Sequence, residues 1–347
     1  MRDKPNIRIG VIGAGANSRL RHIPGFQSIP GVTISAVANR SIASAKKVAD
    51  EFNIDGLFDD WTKLIESPDI DAICIGTWPY MHCPITLAAL ESGKHVLTEA
   101  RMAMDAEEAR NMLDASRRHP KLICQVVPSP LTFKIDDTIN DVLASGYLGS
   151  IISIELRATQ SNFPDFGGDM HWRNDRIVSG YNILNMGIWY ESLMRWVGPA
   201  SSVYASGSVT VNRRYDNDGT MRPVTIPDHV EIICDMAIGA KAHFTFSAVT
   251  GMDNNNGLWI FGSNGTLYVD TRSMSIYCAN RDSTELDRVD IPRNKQSYWR
   301  VEEEFIGAIR GEEPIKLTTF EAGLRYMEFS EAVYRSIQTG TSIHLPL

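Results

Sequence analysis

The sequence predicts an α/β protein in two parts. Residues 1–126 read as a parallel sheet flanked by helices, and residues 127–347 as a second α/β domain built on a largely antiparallel sheet. Three observations carry this. An apolar run, Ile7–Ile12, leads straight into Gly13-Ala14-Gly15. From there to residue 126, short apolar runs alternate with helical stretches. Beyond residue 150, strand-like stretches follow one another with few helices between them.

Composition bounds the class. A chain of 347 residues suits two domains, and 43% hydrophobic with 22% charged residues is ordinary for a globular protein with a sizeable core. The formal charge of −8, with no Lys/Arg run, argues against a nucleic-acid or anionic-membrane partner. Five cysteines (Cys74, Cys83, Cys124, Cys234, Cys278) are scattered without a CxxC pair, so neither a disulfide framework nor a metal site is expected. No signal-like stretch precedes Ile7 and no apolar run is long enough to cross a bilayer, so the expected location is the cytoplasm.

In the first part, Ile7–Ile12, Val32–Ala38, Ala72–Ile75, His95–Thr98 and Leu122–Val127 read as short buried strands. Ser41 is an N-cap for a helix through KKVADEF. PITLAALESG is a second helix that stops at Gly93. Asp105 with Glu108 three residues on has the form of a capping box for a third. Strands alternating with helices give a parallel sheet covered on both faces, with ligands at the carboxyl ends of its strands.

Pro128 and Pro130 mark the change of pattern. A helix ending at Gly146 follows. Then come strands at Ile151–Thr159, Ser202–Val211, Val230–Ile238, Lys241–Val249, Gly257–Phe261, Thr266–Asp270 and Ser275–Cys278, with a hairpin turn at 263–265. The polar stretches 161–170, 213–222 and 251–257 read as loops, and two helices, Tyr298–Arg310 and Phe320–Thr339, close the chain.

The sharpest motif is Gly13-Ala14-Gly15-Ala16-Asn17-Ser18, between a strand and a helix. The first glycine permits a tight turn, the second lets a pyrophosphate approach the backbone, and the helix N-terminus faces that anion. Ser18 stands where a third Gly or Ala is usual. The motif predicts a Rossmann dinucleotide site; the plain alternative is a structural turn. The second strand ends in Ala38-Asn39-Arg40-Ser41, without the carboxylate that holds a ribose 2′-hydroxyl in NAD sites. Arg40 and Ser41 instead suit a 2′-phosphate, which favours NADP(H), with NAD(H) as the alternative. A solvated arginine and a capping serine are the plain alternative. Thr77-Trp78-Pro79-Tyr80-Met81-His82 follows the next strand as a loop over the cofactor, its aromatics serving either a nicotinamide or sugar ring or an internal core.

Three segments, GAGANSRLRHIPGF (13–26), GKHVLTEARMAMDAEEAR (93–110) and HWRNDRIVSGYNILNMGIWYESLMRWVG (171–198), together resemble the glucose–fructose oxidoreductase / inositol dehydrogenase / MocA family. The tail from Phe305 to Ile343 is similar too, so the likeness spans nearly the whole chain. It implies an N-terminal Rossmann domain, a C-terminal domain with an open sheet that packs against a partner subunit as a homodimer or homotetramer, and a small pyranose, polyol or keto-sugar substrate.

The sequence departs from that family at its reactive positions. Where members carry Glu-Lys-Pro, this chain has Glu99-Ala100-Arg101. Where they carry Asp and His four residues apart, it has Asn185 and Trp189. Oxidising an alcohol releases a hydride to nicotinamide and a proton to a base, a role that Asn and Trp cannot fill and that Arg101 fills poorly. His171, Tyr181, Tyr190 and His82 are the replacements at hand, each also readable as an ordinary capping or core residue, with Arg101 polarising a carbonyl. Thr77, Trp78, His82 and Glu99 frame the nicotinamide side. Asn185 and Trp189 are candidate substrate contacts, as are Asp165 and Asp169 of the loop 161–170 and the nearby Arg157; the plain alternative is a solvated, glycine-flexed loop without a ligand role. Three activities fit: an NAD(P)-dependent oxidoreductase with relocated acid/base groups, a nucleotide-retaining lyase, hydrolase or epimerase using transient oxidation, and a catalytically inactive ligand-binding regulator.

Overall fold

A computed structural model describes residues 6–216 and 218–347. In chain order the first elements are β1 (Ile7–Ile12), α1 (Ile23–Gln27), β2 (Val32–Ala38), α2 (Ile42–Phe52), β3 (Gly56–Phe58), α3 (Trp61–Glu66), β4 (Ala72–Ile75), α4 (His82–Glu91), β5 (His95–Thr98), α5 (Ala106–Arg118) and β6 (Cys124–Val126). Then come α6 (Asp136–Ala144), β7 (Ile151–Thr159), α7 (Arg176–Ser179), α8 (Met186–Val197), β8 (Ala200–Ser208), β9 (Arg213–Tyr215), β10 (Met221–Pro223), β11 (His229–Met236) and β12 (Lys241–Ser247). The chain ends with β13 (Gly257–Gly262), β14 (Gly265–Asp270), β15 (Ser275–Asn280), β16 (Asp287–Val289), α9 (Val301–Ile309), α10 (Phe320–Thr339) and β17 (Ile343–His344). Two compact units result, one of residues up to Pro128 with 300–324, the other of 129–299 with 325–347.

The first unit holds a six-stranded sheet in the order β3-β2-β1-β4-β5-β6, with all its pairs parallel. Chain order reverses beside β1, so a crevice opens at the carboxyl ends of β1 and β4. The inner strands are apolar throughout because helices cover both faces; Ile9, Val11, Ile73, Val96 and Leu97 are fully buried. Helix starts follow local chemistry. Ser41 accepts the Ser44 N–H at 3.3 Å. Asp105 accepts the Glu108 N–H at 2.8 Å, while Glu108 takes the Met104 N–H at 3.0 Å. Gly93, at φ 73°, turns the chain past α4. The sequence pattern misses β3 and α3, since three half-buried edge residues carry no readable period.

Residues 300–324, expected within the second domain, count with the first unit instead. Phe305 meets Phe26 edge-on at 6.3 Å. Val126 donates its N–H to the Thr318 carbonyl at 3.0 Å. Glu304 Oε1 takes the N–H groups of Lys316 and Leu317. These ties join distant parts of the chain, so no local pattern announces them.

The second unit is built on a nine-stranded sheet ordered β16-β15-β14-β13-β7-β12-β11-β8-β17. Its described pairs are antiparallel except β7 with β12. The stretch 213–222, expected as a loop, carries the β9–β10 hairpin; its residues are mostly exposed and show no alternation to read. One sheet face is covered: Phe244 of β12 meets Phe329 of α10, which stacks on Tyr190 of α8 at 3.6 Å. On the other face Trp259, Phe261, Tyr268 and Tyr277 form an aromatic ladder across β13–β15, and Tyr204 and Ile233 stand 46% and 55% exposed. Arg195 ties α8 to α6 through Asp136, and its other end meets Glu191, which accepts the Ser129 N–H at 2.6 Å. All five cysteines are unpaired thiols. Among the described residues no helix is long and apolar enough to cross a membrane.

Candidate active site

A cleft of about 400 Å³ opens at the carboxyl ends of β1, β2 and β4, with the glycine turn as its floor. Gly13 sits at φ 81°, and a Cβ there would stand 2.7 Å from the Thr77 nitrogen. Around Gly15 a Cβ would meet only the Gly76 carbonyl, at 3.6 Å, so the backbone is bare where a pyrophosphate must approach. The helical turns begin at Ala16–Asn17, directly after it. Ser18 is buried and donates to the Gly13 carbonyl at 3.3 Å. A Cβ on Gly76 would collide with its hydroxyl at 2.1 Å. Ser18 therefore seats the helix closely on β4, the packing role of a third glycine.

At the adenosine end, Asn39 turns its Oδ1 to the Ala14 N–H at 2.9 Å and braces the turn. Arg40 is exposed, its guanidinium 5.2 Å from the centre of the Trp78 ring. The Ser41 hydroxyl is engaged in capping α2. Ser44, Asp59, Trp61 and Tyr80 also line the cleft. Asp59 and Trp61 follow β3, the strand that the sequence pattern does not reveal, which is why they escape a reading from sequence. The Thr77 hydroxyl is buried without a protein partner at the cleft wall. A bare glycine cradle, an orphaned hydroxyl and a cation beside an aromatic ring together fit a dinucleotide.

On the side toward β5, Glu99 is held by Asn17, by His22 at 3.0 Å and by the Ala100 N–H at 3.1 Å. His82 is fully buried and does not line the cleft. Its Nε2 faces the Thr77 carbonyl at 3.0 Å and its Nδ1 the Arg101 carbonyl at 2.9 Å, so it is a strut between those loops, and burial pushes its pKa down. Arg101 is buried, at 4% exposure.

The second unit sorts the remaining candidates. His171 is exposed, and its Nδ1 accepts the Arg173 N–H at 3.2 Å. Partial burial and the Arg173 charge hold its pKa below the ordinary value. Tyr181 is half-buried, 4.5 Å from Tyr334 between ring centres, with the Arg176 guanidinium against both rings. Tyr190 does not fit proton transfer: it is 1% exposed, its hydroxyl accepts the Ala200 N–H at 2.8 Å, and burial pushes its pKa up. Asn185 stands at the N-cap position of α8 without a side-chain capping hydrogen bond, and Trp189, one turn on, is buried. Arg157 is already engaged, donating twice to Asp253 at 2.9 and 2.6 Å from the sheet face, so it is no open cation for a substrate. Asp165 stays exposed, accepting the Gly167 N–H within its own loop.

A doubly wound parallel sheet with a bare glycine cleft, followed by a second α/β unit, defines a dinucleotide-dependent enzyme class. Residues 7–127 match the family profile described as an oxidoreductase family with an NAD-binding Rossmann fold, and residues 137–268 match the GFO/IDH/MocA C-terminal domain. The chain belongs to the GFO/IDH/MocA family and is an NAD(P)-dependent oxidoreductase. Among its relatives, dTDP-3,4-didehydro-2,6-dideoxy-alpha-D-glucose 3-reductase of Streptomyces antibioticus is 27% identical over 325 residues, covering 92% of this chain and 93% of that protein. Levoglucosan dehydrogenase of Pseudarthrobacter phenanthrenivorans is 28% identical over 264 residues, covering 68% and 66%. A solved levoglucosan dehydrogenase, in complex with NADH and levoglucosan, has the same fold, with a TM-score of 0.85 at 20% identity over 99% of this chain and all of that one.

Proposed function

We propose that the chain transfers hydride between NADP(H), with NAD(H) as the weaker cofactor, and a hydroxyl or carbonyl carbon of a sugar, polyol or keto-sugar. The observation that carries this reading is the bare glycine cleft ending in Arg40 over Trp78 at the end of β2. A cation and no carboxylate on that strand end suits a 2′-phosphate. The sugar-processing relatives supply the substrate class. His171 and Tyr181 are the proposed proton groups. A positioned base is worth roughly 10²–10⁴ in rate, so some group must stand in for the family's usual ones. Arg101 is the proposed carbonyl polariser. The aromatic ladder of β13–β15 is the proposed contact of a homodimer or homotetramer, and the unpaired thiols suit the cytoplasm.

Incubating the protein with NADP⁺ or NAD⁺ and a panel of sugars and polyols, with nicotinamide absorbance and product structure followed together, tests this. Net reduction of cofactor with one ketone formed per turnover supports it. Ala100, Asn185 and Trp189 at the family's reactive positions favour one second reading, a nucleotide-retaining lyase, hydrolase or epimerase. It would change the sugar with no net change in cofactor. Binding without any turnover would leave the regulator.

A further inference from the structure

The helical turns after the glycine loop carry His22 into full burial. Its Nδ1 lies 2.5 Å from Glu302 Oε1, and its Nε2 lies 3.0 Å from Glu99 Oε1. Glu99 Oε1 also takes a hydrogen from Asn17, and its Oε2 takes the Ala100 N–H. Gly25, three residues along from His22, makes room for this: a Cβ there would stand 2.8 Å from the Glu302 carboxylate. Both ring nitrogens face carboxylate oxygens, so both must donate, and the ring carries a full positive charge. Burial opposes that charge, but the two carboxylates outweigh it and raise the pKa to about 9. Burial opposes ionisation of Glu99, but His22 and Asn17, and to a lesser degree His82, draw its pKa down, and burial together with the two carboxylates pushes the Cys74 thiol up.

The members of the triad differ in access. His22 and Glu302 are sealed, at 0% and 4% side-chain exposure, whereas Glu99 is 15% exposed at the carboxyl end of β5, on the edge of the sheet where ligands collect. A tie that merely fastened α9 to the sheet would need no carboxylate there.

We propose that His22, clamped by Glu302, is a positioning residue that fixes Glu99 as an oriented anion for the nicotinamide end of the cofactor, favouring the cationic, oxidised ring over the reduced one. This rests on the dinucleotide reading above. Asn17 and the Ala100 N–H set the carboxylate's orientation, and His22 keeps it ionised and directed.

The test is calorimetric titration of the wild type and the variants His22→Gln, Glu302→Gln and Gly25→Ala with NADP⁺, NADPH and 2′-phospho-ADP-ribose, which lacks nicotinamide. Thermal unfolding is recorded in parallel. The expected result is that the preference for NADP⁺ over NADPH falls about tenfold in each folded variant, the scale of one misplaced charge near a partly exposed site, while 2′-phospho-ADP-ribose binds as before. A lowered Tm with an unchanged preference in the folded variants would overturn the proposal and leave only a structural tie. Failure of all three ligands to bind the wild type would instead overturn the dinucleotide reading, and the proposal with it. Should His22→Gln not fold, ¹⁵N NMR of the wild-type imidazole decides. Two protonated ring nitrogens at pH 7.5 are expected, and a neutral ring titrating at the ordinary value would contradict the clamp.

Discussion

At the scale of single residues, two side chains at the end of β2 face different ways. Asn39 braces the glycine turn and Arg40 supplies charge above Trp78. Replacing Arg40 by alanine should weaken NADPH about 10- to 100-fold, the scale of a lost charge-assisted hydrogen bond, and leave NADH nearly unchanged; calorimetry on both cofactors checks this. His22 makes a second prediction. Its pKa is raised in the folded state, from 6.5 to about 9. Its contribution is therefore full below pH 6.5 and lost as the pH rises through about 9. Linkage puts that loss at about 3 kcal/mol, readable as a falling urea midpoint across that window and flattened in Glu302→Gln. That Gly13, Gly15 and Arg40 line one cleft was legible in the sequence, because strand ends and glycine spacing are local signals. The burial of Tyr190 was not, because its partners, Phe329 and the Ala200 N–H, come from elsewhere in the fold. The capture of Arg157 by Asp253 likewise joins residues 96 positions apart.

At the scale of elements, the readable signals were apolar runs and caps. The runs at β1, β2, β4 and β5 coincide with the strands, and Ser41 and Asp105 start helices as their side chains dictate. What escaped was short or exposed: β3 with α3 behind it, and the β9–β10 hairpin. Asp59 and Trp61 of the cleft escaped with β3. The joint between α6 and α8 is electrostatic. Arg195, 12% exposed, sits between Asp136 and Glu191, and burial already raises the Asp136 pKa. Arg195→Met keeps the volume and strands two buried carboxylates. It should cost about 3–5 kcal/mol in chemical unfolding, and more at neutral pH than at pH 4, where protonation relieves the carboxylates. A cost under about 1 kcal/mol, typical of exposed pairs, would contradict the joint's importance.

At the scale of the whole molecule, the chain returns to its first unit for residues 300–324, bringing Glu302 to His22 and Phe305 to Phe26. No periodicity reports such a return, whereas the succession of strands after residue 150 did report the second sheet. The aromatic face of that sheet, half-buried at the ladder and open at Tyr204 and Ile233, predicts self-association. Ile233→Asp, at a position 55% exposed beside Tyr204, should shift the molecule toward monomer in analytical ultracentrifugation without lowering Tm by more than a few degrees. The central claim, a cleft built for a phosphorylated dinucleotide, is tested most directly by titrating nucleotide-free protein with NADPH and NADH in a calorimeter. One site per chain, with NADPH at least tenfold tighter, is the predicted result. Equal affinities would contradict the role given to Arg40, and no heat from either cofactor would contradict the claim itself.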